Sequence, residues 1–523
     1  MFGLNFLRAR PPEPAPTAHR STGVEADVAL LLEGTYPYVR GGVSSWVHTL
    51  ITGLPQVKFS IIFLGGSPDH YEEIKYVLPE NVVHLEVHFL IDKRPLETAT
   101  PGADARCQHH FENLRKIHDQ LREGLPLPEE SLRQIAASLT AADGIDRETF
   151  LSSFTTWEYI CNSYLKYSTE PSFVDYFWTI RTIHEPLFTL ARIAKHAPVA
   201  KIYHSISTGY AGFLGALISR QQQRPFILSE HGIYTKERKI DLAQAEWIHE
   251  SKNRFDATLH TNVSYIRSLW IRFFASIGRM TYSAADPITS LYEGNRQKQI
   301  EDGADAQRCR IIPNGIDLAR FAKLREKRPQ DVPPVVGLLG RVVPIKDIKT
   351  FIRSMRTVCS RLPEAEGWII GPEDEDESYA RECHDLVASL GLEERVKFLG
   401  FQKPDDILPQ LGLLVLTSIS EALPLVVLEA YASGLPCVTT DVGSCRELIE
   451  GNTEPDRSLG HSGAVVPIAD PQATAERIVE LLGDPARWHA AQQAGIQRVE
   501  RYYTLEMMLD TYLDLYRVHV EVD

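Results

Sequence analysis

Long apolar runs, paired cysteines and an excess of basic residues are all missing from this 523-residue sequence. No run approaches the ~18 apolar residues that a membrane-spanning helix needs, and the N-terminal MFGLNFLRAR lacks the apolar core of a signal peptide. Seven scattered cysteines without a CxxC pair disfavour a disulfide framework and a zinc ribbon, so we expect a cytoplasmic protein with reduced thiols. A formal net charge of −14 argues against a nucleic-acid partner, which requires a basic face.

Apolar runs of strand length alternate with longer helical patterns along the chain. Continuous apolar strands separated by helices are typical of parallel sheets that are covered on both faces. The runs form two series, so we predict an α/β protein with two doubly wound, Rossmann-like domains. The expected strands are residues 27–33, 58–64, 201–205 and 226–229 in the first series, and 335–340, 367–371, 396–400, 413–418 and 436–440 in the second.

Composition also suggests where the domains begin and end. We expect a flexible tail over residues 1–24, although Phe2, Leu4, Phe6 and Leu7 offer the alternative of contact with a membrane or a partner. The expected order after the tail is a first domain (25–322) with a helical insertion (66–200), a charged, proline-rich linker (323–334), a second domain (335–500) and a C-terminal helix (501–523) that packs back on the first domain.

Helical periodicity in the insertion is clearest over residues 112–125 and 180–194. Pro186 is expected to kink or restart the second of these helices. Nearby aromatic side chains are interpreted as packing residues, and lining a substrate site is the alternative. They are Phe173, Tyr176, Phe177 and Trp178.

The strongest chemical signal is the segment SEALPLVVLEAYASGLPCVTT (420–440), which joins a predicted strand to a predicted helix. Pro424 suits the first turn of that helix. The amides of Leu425 and Val426 would then be available at the helix N-terminus, where they and the helix dipole can bind phosphate. Glu429 lies in an apolar run, and burying a carboxylate is costly unless it is bonded. A pair of sugar hydroxyls would satisfy it, and a cap or salt bridge inside the fold is the alternative.

A second cluster follows the first strand of the second domain, in the segment GRVVPIKD (340–347). Arg341 and Lys346 can neutralise the charge that develops on a diphosphate leaving group. Either residue alone would be interpreted as a surface charge after a strand.

These segments resemble those of the family 4 retaining glycosyltransferases, in which two glutamates are separated by seven residues, as are Glu421 and Glu429 here. The resemblance implies the GT-B fold, two Rossmann-like domains facing a cleft. It also implies that Arg341 and Lys346 bind the donor diphosphate and that Glu421 positions the donor sugar. Two departures occur, since Ala-Leu replaces Gly-[Phe/Tyr] after Glu421 and Asp347 stands where most members have Gly. Residues 311–317 (IIPNGID) resemble the family's segment near the interdomain hinge, although Asn-Gly alone would indicate only a turn.

Three features of the first domain follow predicted strands. Gly41 and Gly42 open a helix after the first strand, His204 ends the third strand, and His231 follows the fourth. Ligands of open α/β sheets bind beyond the carboxyl ends of the strands, although a histidine there is more often structural. The family resemblance implies a role for His231 near the donor sugar, and implies that the Gly41–Gly42 loop and His204 shape the acceptor side. Ile206 replaces the second histidine that the family often carries.

In the segments LLEGTYPYVRGGVSSWVHTLI (31–51) and SEHGIYTKERKIDLAQAEWI (229–248), and in the long insertion, the resemblance is closer to one branch, the cytosolic glycosyltransferases of the bacterial Pel exopolysaccharide system. It implies a UDP-sugar donor, with UDP-glucose favoured, a polysaccharide acceptor, and inner-membrane partner proteins of a synthase complex. Alternatives are another donor such as UDP-N-acetylhexosamine, a nucleotide-sugar epimerase of the same fold, or a non-catalytic assembly subunit.

One acidic run imitates a metal-binding motif. Asp374, Glu375 and Asp376 lie within EDEDE (373–377), directly after a Gly-Pro pair. We interpret the run as an exposed loop, since charge runs are usually solvated. Arg341 and Lys346 already supply the positive charge that a metal would supply, so we predict that no metal or other cofactor is required.

Overall fold

The computed structural model describes residues 17–71, 73–91, 103–122, 129–141, 144–169, 172–244 and 265–520. The chain divides into two compact units. The first unit consists of Met1–Thr289, Lys298–Arg310 and Leu513–Asp523, and the second of Ser290–Gln297 and Ile311–Tyr512. Among the described residues, no helix combines the length and the apolar character needed to cross a bilayer.

The first sheet has eight strands in the order β1-β4-β3-β2-β5-β6-β7-β8. Its strands are β1 (Thr17–Ser21), β2 (Ala26–Glu33), β3 (Phe59–Gly65), β4 (Val82–Phe89), β5 (Ala200–Ser205), β6 (Phe226–Glu230), β7 (Ile288–Ser290) and β8 (Cys309–Ile311). Strands β2 to β6 pair in parallel, and β1 is antiparallel to β4. Every residue of β3 is buried, which explains its continuous apolar sequence.

Helices of the first unit flank this sheet. They are α1 (Gly42–Gly53), α2 (Ala103–Arg122), α3 (Glu129–Thr140), α4 (Arg147–Ser152), α5 (Phe154–Tyr167), α6 (Phe173–His196), α7 (Tyr210–Gln222), α8 (Tyr234–Gln244) and α9 (Tyr265–Ala284). The main hydrophobic core of this unit contains buried side chains from β2 through β8.

Three expectations for this unit were wrong in part. The segment 66–200 is not wholly helical, because β4 lies within it and pairs with β3. Residues 17–21, expected in the flexible tail, form β1, while residues 1–16 lie outside the described part. Helix α6 continues through Pro186 without restarting.

The second sheet is entirely parallel, with six strands in the order β11-β10-β9-β12-β13-β14. Its strands are β9 (Val335–Leu339), β10 (Glu366–Ile370), β11 (Val396–Phe398), β12 (Leu413–Leu416), β13 (Cys437–Thr440) and β14 (Gly463–Val466). All five strands predicted for this half are present.

The remaining helices come after β7 along the chain, with α10 between β7 and β8 and α11 between β8 and β9. They are α10 (Glu293–Glu301), α11 (Leu318–Phe321), α12 (Ile348–Arg361), α13 (Glu377–Ser389), α14 (Pro404–Ile407), α15 (Leu425–Ala432), α16 (Cys445–Glu450), α17 (Glu454–Arg457), α18 (Pro471–Gly483), α19 (Pro485–Tyr502) and α20 (Leu505–Arg517). The two parallel sheets with their helices confirm the predicted pair of Rossmann-like domains. The last turn and a half of α20 belongs to the first unit.

Candidate active site

The strand order places a switch point between β9 and β12 of the second sheet. From β9 the chain continues to β10 and β11 on one side, and then crosses to β12 on the other side. The loops after β9 and β12 therefore leave the same edge of the sheet in opposite directions, which opens the crevice where such sheets bind ligands. The Ile419 amide donates to the Ile345 carbonyl (2.9 Å), and the Thr417 hydroxyl donates to the Lys346 carbonyl (2.9 Å).

Two of the predicted donor-binding residues meet at this edge. The Lys346 ammonium contacts the Glu421 carboxylate, and the Ser418 hydroxyl donates to the same carboxylate oxygen at 2.6 Å. The exposed fraction is 22% for the Lys346 side chain and 14% for Glu421. An ion pair this sheltered is screened less by salt than a surface pair.

Arg341 lies on the same loop as Lys346 and is engaged by the acidic run. Its guanidinium contacts both carboxylate oxygens of Glu375, at 2.6 and 2.5 Å. The carboxylate of Asp376 caps α13 by accepting from the Tyr379 amide (2.9 Å). The run is an exposed loop, as expected, but three of its carboxylates bind other residues, since Glu373 also contacts the His384 ring at 2.7 Å.

Asp347 has a structural role that the sequence did not reveal. Its backbone is left-handed (φ 44°, ψ 55°), a conformation that glycine adopts without strain and aspartate tolerates. Its carboxylate also caps α12 by accepting from the Thr350 amide at 3.2 Å. The backbone conformation explains why glycine suits this position in the proteins that the segment resembles.

Helix α15 begins at Leu425, so Pro424 is its N-cap rather than part of its first turn. No side chain caps this end. Within the described part of the chain, no acceptor binds the amides of Leu425 and Val426. This end of α15 therefore has donors available for an anion.

Glu429 lies one turn into α15, and burial raises the pKa of its carboxyl above 4.5. Asp405 raises that pKa further and Arg320 lowers it. Arg320 and Asp405 bind each other, with Nε to carboxylate distances of 3.0 and 3.2 Å. In the described residues, no hydrogen bond or ion pair engages the Glu429 carboxyl itself. Sequence reasoning missed Arg320 and Asp405, which lie far from Glu429 along the chain.

The Asn-Gly segment serves packing within the second unit. A Cβ on Gly315 would lie 2.3 Å from the Thr504 carbonyl oxygen, so only glycine allows this approach. The Ile316 amide donates to the Tyr503 carbonyl (2.9 Å), and the Leu505 amide donates to the Ile316 carbonyl (3.0 Å). Asn314 is buried beside it.

In the first unit, the Gly41–Gly42 pair is exposed at the start of α1, with open space around both Cα atoms. From the same helix, Trp46 packs edge-on against the His231 ring, with 4.4 Å between ring centroids. Burial lowers the pKa of His231 to about 4, so the imidazole is neutral near pH 7.

The structure corrects the acceptor-side role expected of His204. The residue is fully buried, its Nδ1 lies 2.8 Å from the Tyr516 hydroxyl, and its Nε2 lies 2.8 Å from the Ser229 hydroxyl. Burial, followed by the nearby His231, lowers its pKa to about 3. With both ring nitrogens bonded inside the fold, His204 cannot contact an acceptor and is a packing residue.

Glu33 at the end of β2 is a further half-buried group, and the sequence did not single it out. Its carboxylate accepts from the Ala211 amide (3.2 Å) and the Tyr234 hydroxyl (3.1 Å). Burial raises its pKa, and Arg238 lowers it. Glu33 thereby joins the starts of α7 and α8, on either side of the segment that carries His231. A charge ending an apolar strand was the available signal.

Two family models match the chain. The family described as "Domain of unknown function (DUF3492)" matches residues 26–307, and the family described as "Glycosyl transferases group 1" matches residues 333–484. The bounds of the first match enclose residues 66–200.

Two of the curated relatives each match about two fifths of this chain. D-inositol 3-phosphate glycosyltransferase of Salinispora tropica is 31% identical over 41% of this chain and 46% of that protein. The lipopolysaccharide core biosynthesis glycosyltransferase LpsE of Rhizobium meliloti is 27% identical over 42% of this chain and 60% of that protein. The chain thus spans about half of the length of the curated relatives it matches.

Solved structures match over nearly the whole chain. HepE of Anabaena, crystallised with UDP and glucose, has a TM-score of 0.55 and 15% identity, covering 94% of this chain and all of that one. Sucrose-phosphate synthase of Thermosynechococcus elongatus has a TM-score of 0.55 and 17% identity, covering 94% and 98%. These likenesses confirm the GT-B fold. Since its model matches more than half of the sequence, the chain belongs to the family described as a domain of unknown function (DUF3492), here joined to a group 1 glycosyl transferase domain.

Proposed function

We propose that the protein is a retaining glycosyltransferase that moves a hexose from a UDP-sugar to a growing exopolysaccharide. The observation that carries this proposal is the set of candidate donor-binding groups at the edge of the second sheet after β9 and β12. There the Lys346–Glu421 pair, the open amides of α15 and the half-buried Glu429 carboxylate without a bonded partner occur in one unit. The match of residues 333–484 to group 1 glycosyl transferases supports it.

Each group suits one part of a nucleotide-sugar. Glu429 would accept hydrogen bonds from the two ribose hydroxyls, which would satisfy its half-buried carboxylate. The amides of Leu425 and Val426 would donate to the diphosphate, as helix N-termini do. Glu421, held by Lys346, would orient the hexose.

Arg341 and Lys346 would bind the leaving diphosphate. In the structure their positive charges are matched by Glu375 and Glu421. A bound diphosphate would compete with Glu375 for the exposed Arg341, whereas Lys346 would keep Glu421 and gain the phosphate. Both cations stabilise negative charge as the bond from sugar to phosphate breaks, so no metal is required in this proposal.

Retention without a dedicated nucleophile is consistent with front-side attack, as the family resemblance implies. The acceptor oxygen bonds to the anomeric carbon on the face that the diphosphate leaves, and the departing phosphate oxygen takes the acceptor proton. For His231 and the Gly41–Gly42 loop, roles near the donor sugar and the acceptor remain predictions from the resemblance. A neutral imidazole at His231 is compatible with hydrogen bonding to a sugar.

UDP-glucose is the donor we propose, and HepE, crystallised with UDP and glucose, is a structural neighbour that motivates the choice. Assignment to a Pel-type exopolysaccharide system, with inner-membrane partner proteins that bring the chain to the membrane, rests on the segments quoted above. These are LLEGTYPYVRGGVSSWVHTLI and SEHGIYTKERKIDLAQAEWI.

The test measures thermal stabilisation by UDP, GDP and ADP, and then UDP release from UDP-glucose and UDP-N-acetylglucosamine with oligosaccharide acceptors. We expect stabilisation by UDP above the other two nucleotides, and a product with the donor's anomeric configuration by NMR. Stabilisation by none of the nucleotides would refute the proposal. Conversion of the UDP-sugar without an acceptor would instead identify an epimerase.

A further inference from the structure

An apolar cavity lies inside the helical part of the first unit, apart from every residue assigned above to the donor site. Side chains from α2 to α7 and from α9 line it, and its volume is about 90 Å³. Protein interiors normally leave few voids larger than a water molecule. An apolar cavity of roughly 150 Å³ in another protein stays dry and binds benzene. This cavity has about three fifths of that volume, so it has room for only the end of a hydrocarbon chain.

The floor of the cavity is buried and apolar. Phe213, Ile277 and Ile117 are 1%, 2% and 2% exposed. The polar side chains of the wall make their hydrogen bonds within the protein. Ser276 donates to the Arg272 carbonyl (2.7 Å), and Thr156 accepts from the Ser153 hydroxyl (3.0 Å). The wall therefore favours hydrocarbon over a polar ligand.

The protonation state of His184 is consistent with an apolar cavity wall. Its Nδ1 lies 2.7 Å from the Ile180 carbonyl, so Nδ1 carries the proton and donates. Phe150 stacks on the ring, with 5.1 Å between centroids. Burial lowers the pKa of His184, so the ring is neutral and adds no charge to the wall.

Charge is found only on one side of the lining. Arg115 is exposed, and its guanidinium lies 5.9 Å from the centre of the Tyr159 ring. One turn further along α2, His118 bonds to the Tyr159 hydroxyl at 2.8 Å. The exposed Arg115 and the half-exposed His118 and Tyr159 form the rim, and Arg115 is the one permanently charged residue among those that line the cavity.

We propose that this cavity binds the chain end of an anionic amphiphile, with the hydrocarbon on the Phe213–Ile277 floor and the acidic head group at Arg115. A purely apolar ligand would leave the rim cation unused, whereas a sugar or nucleotide would leave its hydroxyls unbonded against the apolar wall. A free fatty acid and an acidic bilayer lipid both have a hydrocarbon chain for the apolar wall and an acidic head group for Arg115.

The test titrates the full chain with decanoate and with 1-decanol, by calorimetry. Arg115→Ala should weaken decanoate binding by roughly threefold to fivefold, as for an exposed ion pair, and leave decanol binding unchanged. Lys116→Ala, which removes the neighbouring exposed cation outside the lining, is the matched control. Equal effects of the two variants on decanoate would overturn the head-group assignment.

Leu139→Phe fills the cavity from its wall and should abolish binding of both probes. Because it could fail to fold, its melting transition is measured first, and the Arg115/Lys116 comparison stands independently. Co-sedimentation with phosphatidylglycerol vesicles that Leu139→Phe abolishes would assign the amphiphile to the bilayer, whereas saturable decanoate binding without co-sedimentation would assign it to a soluble acid. The absence of both saturable binding and co-sedimentation would overturn the proposal. Unchanged binding by a folded Leu139→Phe variant would also overturn it.

Discussion

Replacing Glu429 by Gln tests the donor site most directly, because the change preserves shape and removes one charge. If the carboxylate binds the ribose hydroxyls, the variant loses hydrogen bonds to a charged group, each of which contributes about 1.5–3 kcal/mol. That corresponds to a dissociation constant for UDP that is roughly 10-fold to 150-fold higher. Calorimetry with UDP measures the change directly.

The same variant has an opposite effect on stability. Burial raises the pKa of Glu429 above 4.5, so at neutral pH the folded protein bears a cost for keeping this group ionised. That cost is absent below the ordinary pKa, where the group is protonated in both folded and unfolded chains. Glu429→Gln should therefore raise the melting temperature at pH 7, and the difference should shrink as the pH falls below about 4.5.

The UDP affinity and the melting temperature of Glu429→Gln together distinguish a ligand-binding role of Glu429 from a structural one. If Glu429 instead capped a helix or formed a salt bridge within the fold, its replacement would lower the stability of the protein and leave UDP affinity unchanged. That pair of results would refute our reasoning. Glu366→Gln is the control, since Glu366 begins β10 at the opposite end of the strands and binds Lys397 at 2.8 Å. It should not alter UDP affinity.

Four other outcomes follow. Glu375→Gln should release Arg341 and tighten UDP binding a few-fold at low salt by calorimetry, and a weaker complex would contradict competition between Glu375 and the diphosphate. Lys346→Met should lower kcat by about 10²–10³ in a UDP-release assay, and an unchanged kcat would exclude its role at the leaving group. EDTA should leave the initial rate unchanged, whereas a loss restored by Mg²⁺ or Mn²⁺ would show a metal requirement. Tyr516→Phe should cost about 1–3 kcal/mol in urea unfolding with unchanged UDP affinity, because it strips one hydrogen bond from buried His204.

The pH dependence of stability follows from the two buried histidines. Their pKa values are lowered to about 3 for His204 and about 4 for His231, so the fold holds both rings neutral. Stability from each is complete above the unfolded value near 6.5 and declines as the pH falls towards the folded value. Urea unfolding should show a loss of up to about 1.4 kcal/mol per pH unit for each histidine between pH 6 and pH 4. A flat profile over that range would contradict the assigned burial.

Strands buried on both faces were predictable because burial imposes an apolar sequence, as in β3 and β12. Strand β4 was missed because it alternates His84, Glu86 and His88 with apolar residues beside the terminal strand β1. Strand β14, GAVV, was missed because it is short and begins with glycine.

For the candidate site, local patterns predicted the groups but not their partners. The Lys346 and Glu421 segments each follow an apolar strand, and strand order brings them together. The partners Glu375 and Asp405 lie 34 and 85 residues from the arginines they bind, and no periodicity links such pairs. His204 was misassigned because the end of a strand can face either the crevice or the packed interior.

The bond between His204 and Tyr516 has a consequence for synthesis of the chain. The two residues are 312 positions apart, and Tyr516 also packs against Phe59 of β3. Domains near the N-terminus generally fold first, at translation rates of about 5–20 residues per second, so His204 would wait roughly 15–60 s for its partner to be made. During that interval the nascent first sheet has an uncovered ring at β3 and an unbonded nitrogen at β5. The packing around β3 and β5 is therefore completed only after nearly all of the second unit has been synthesised.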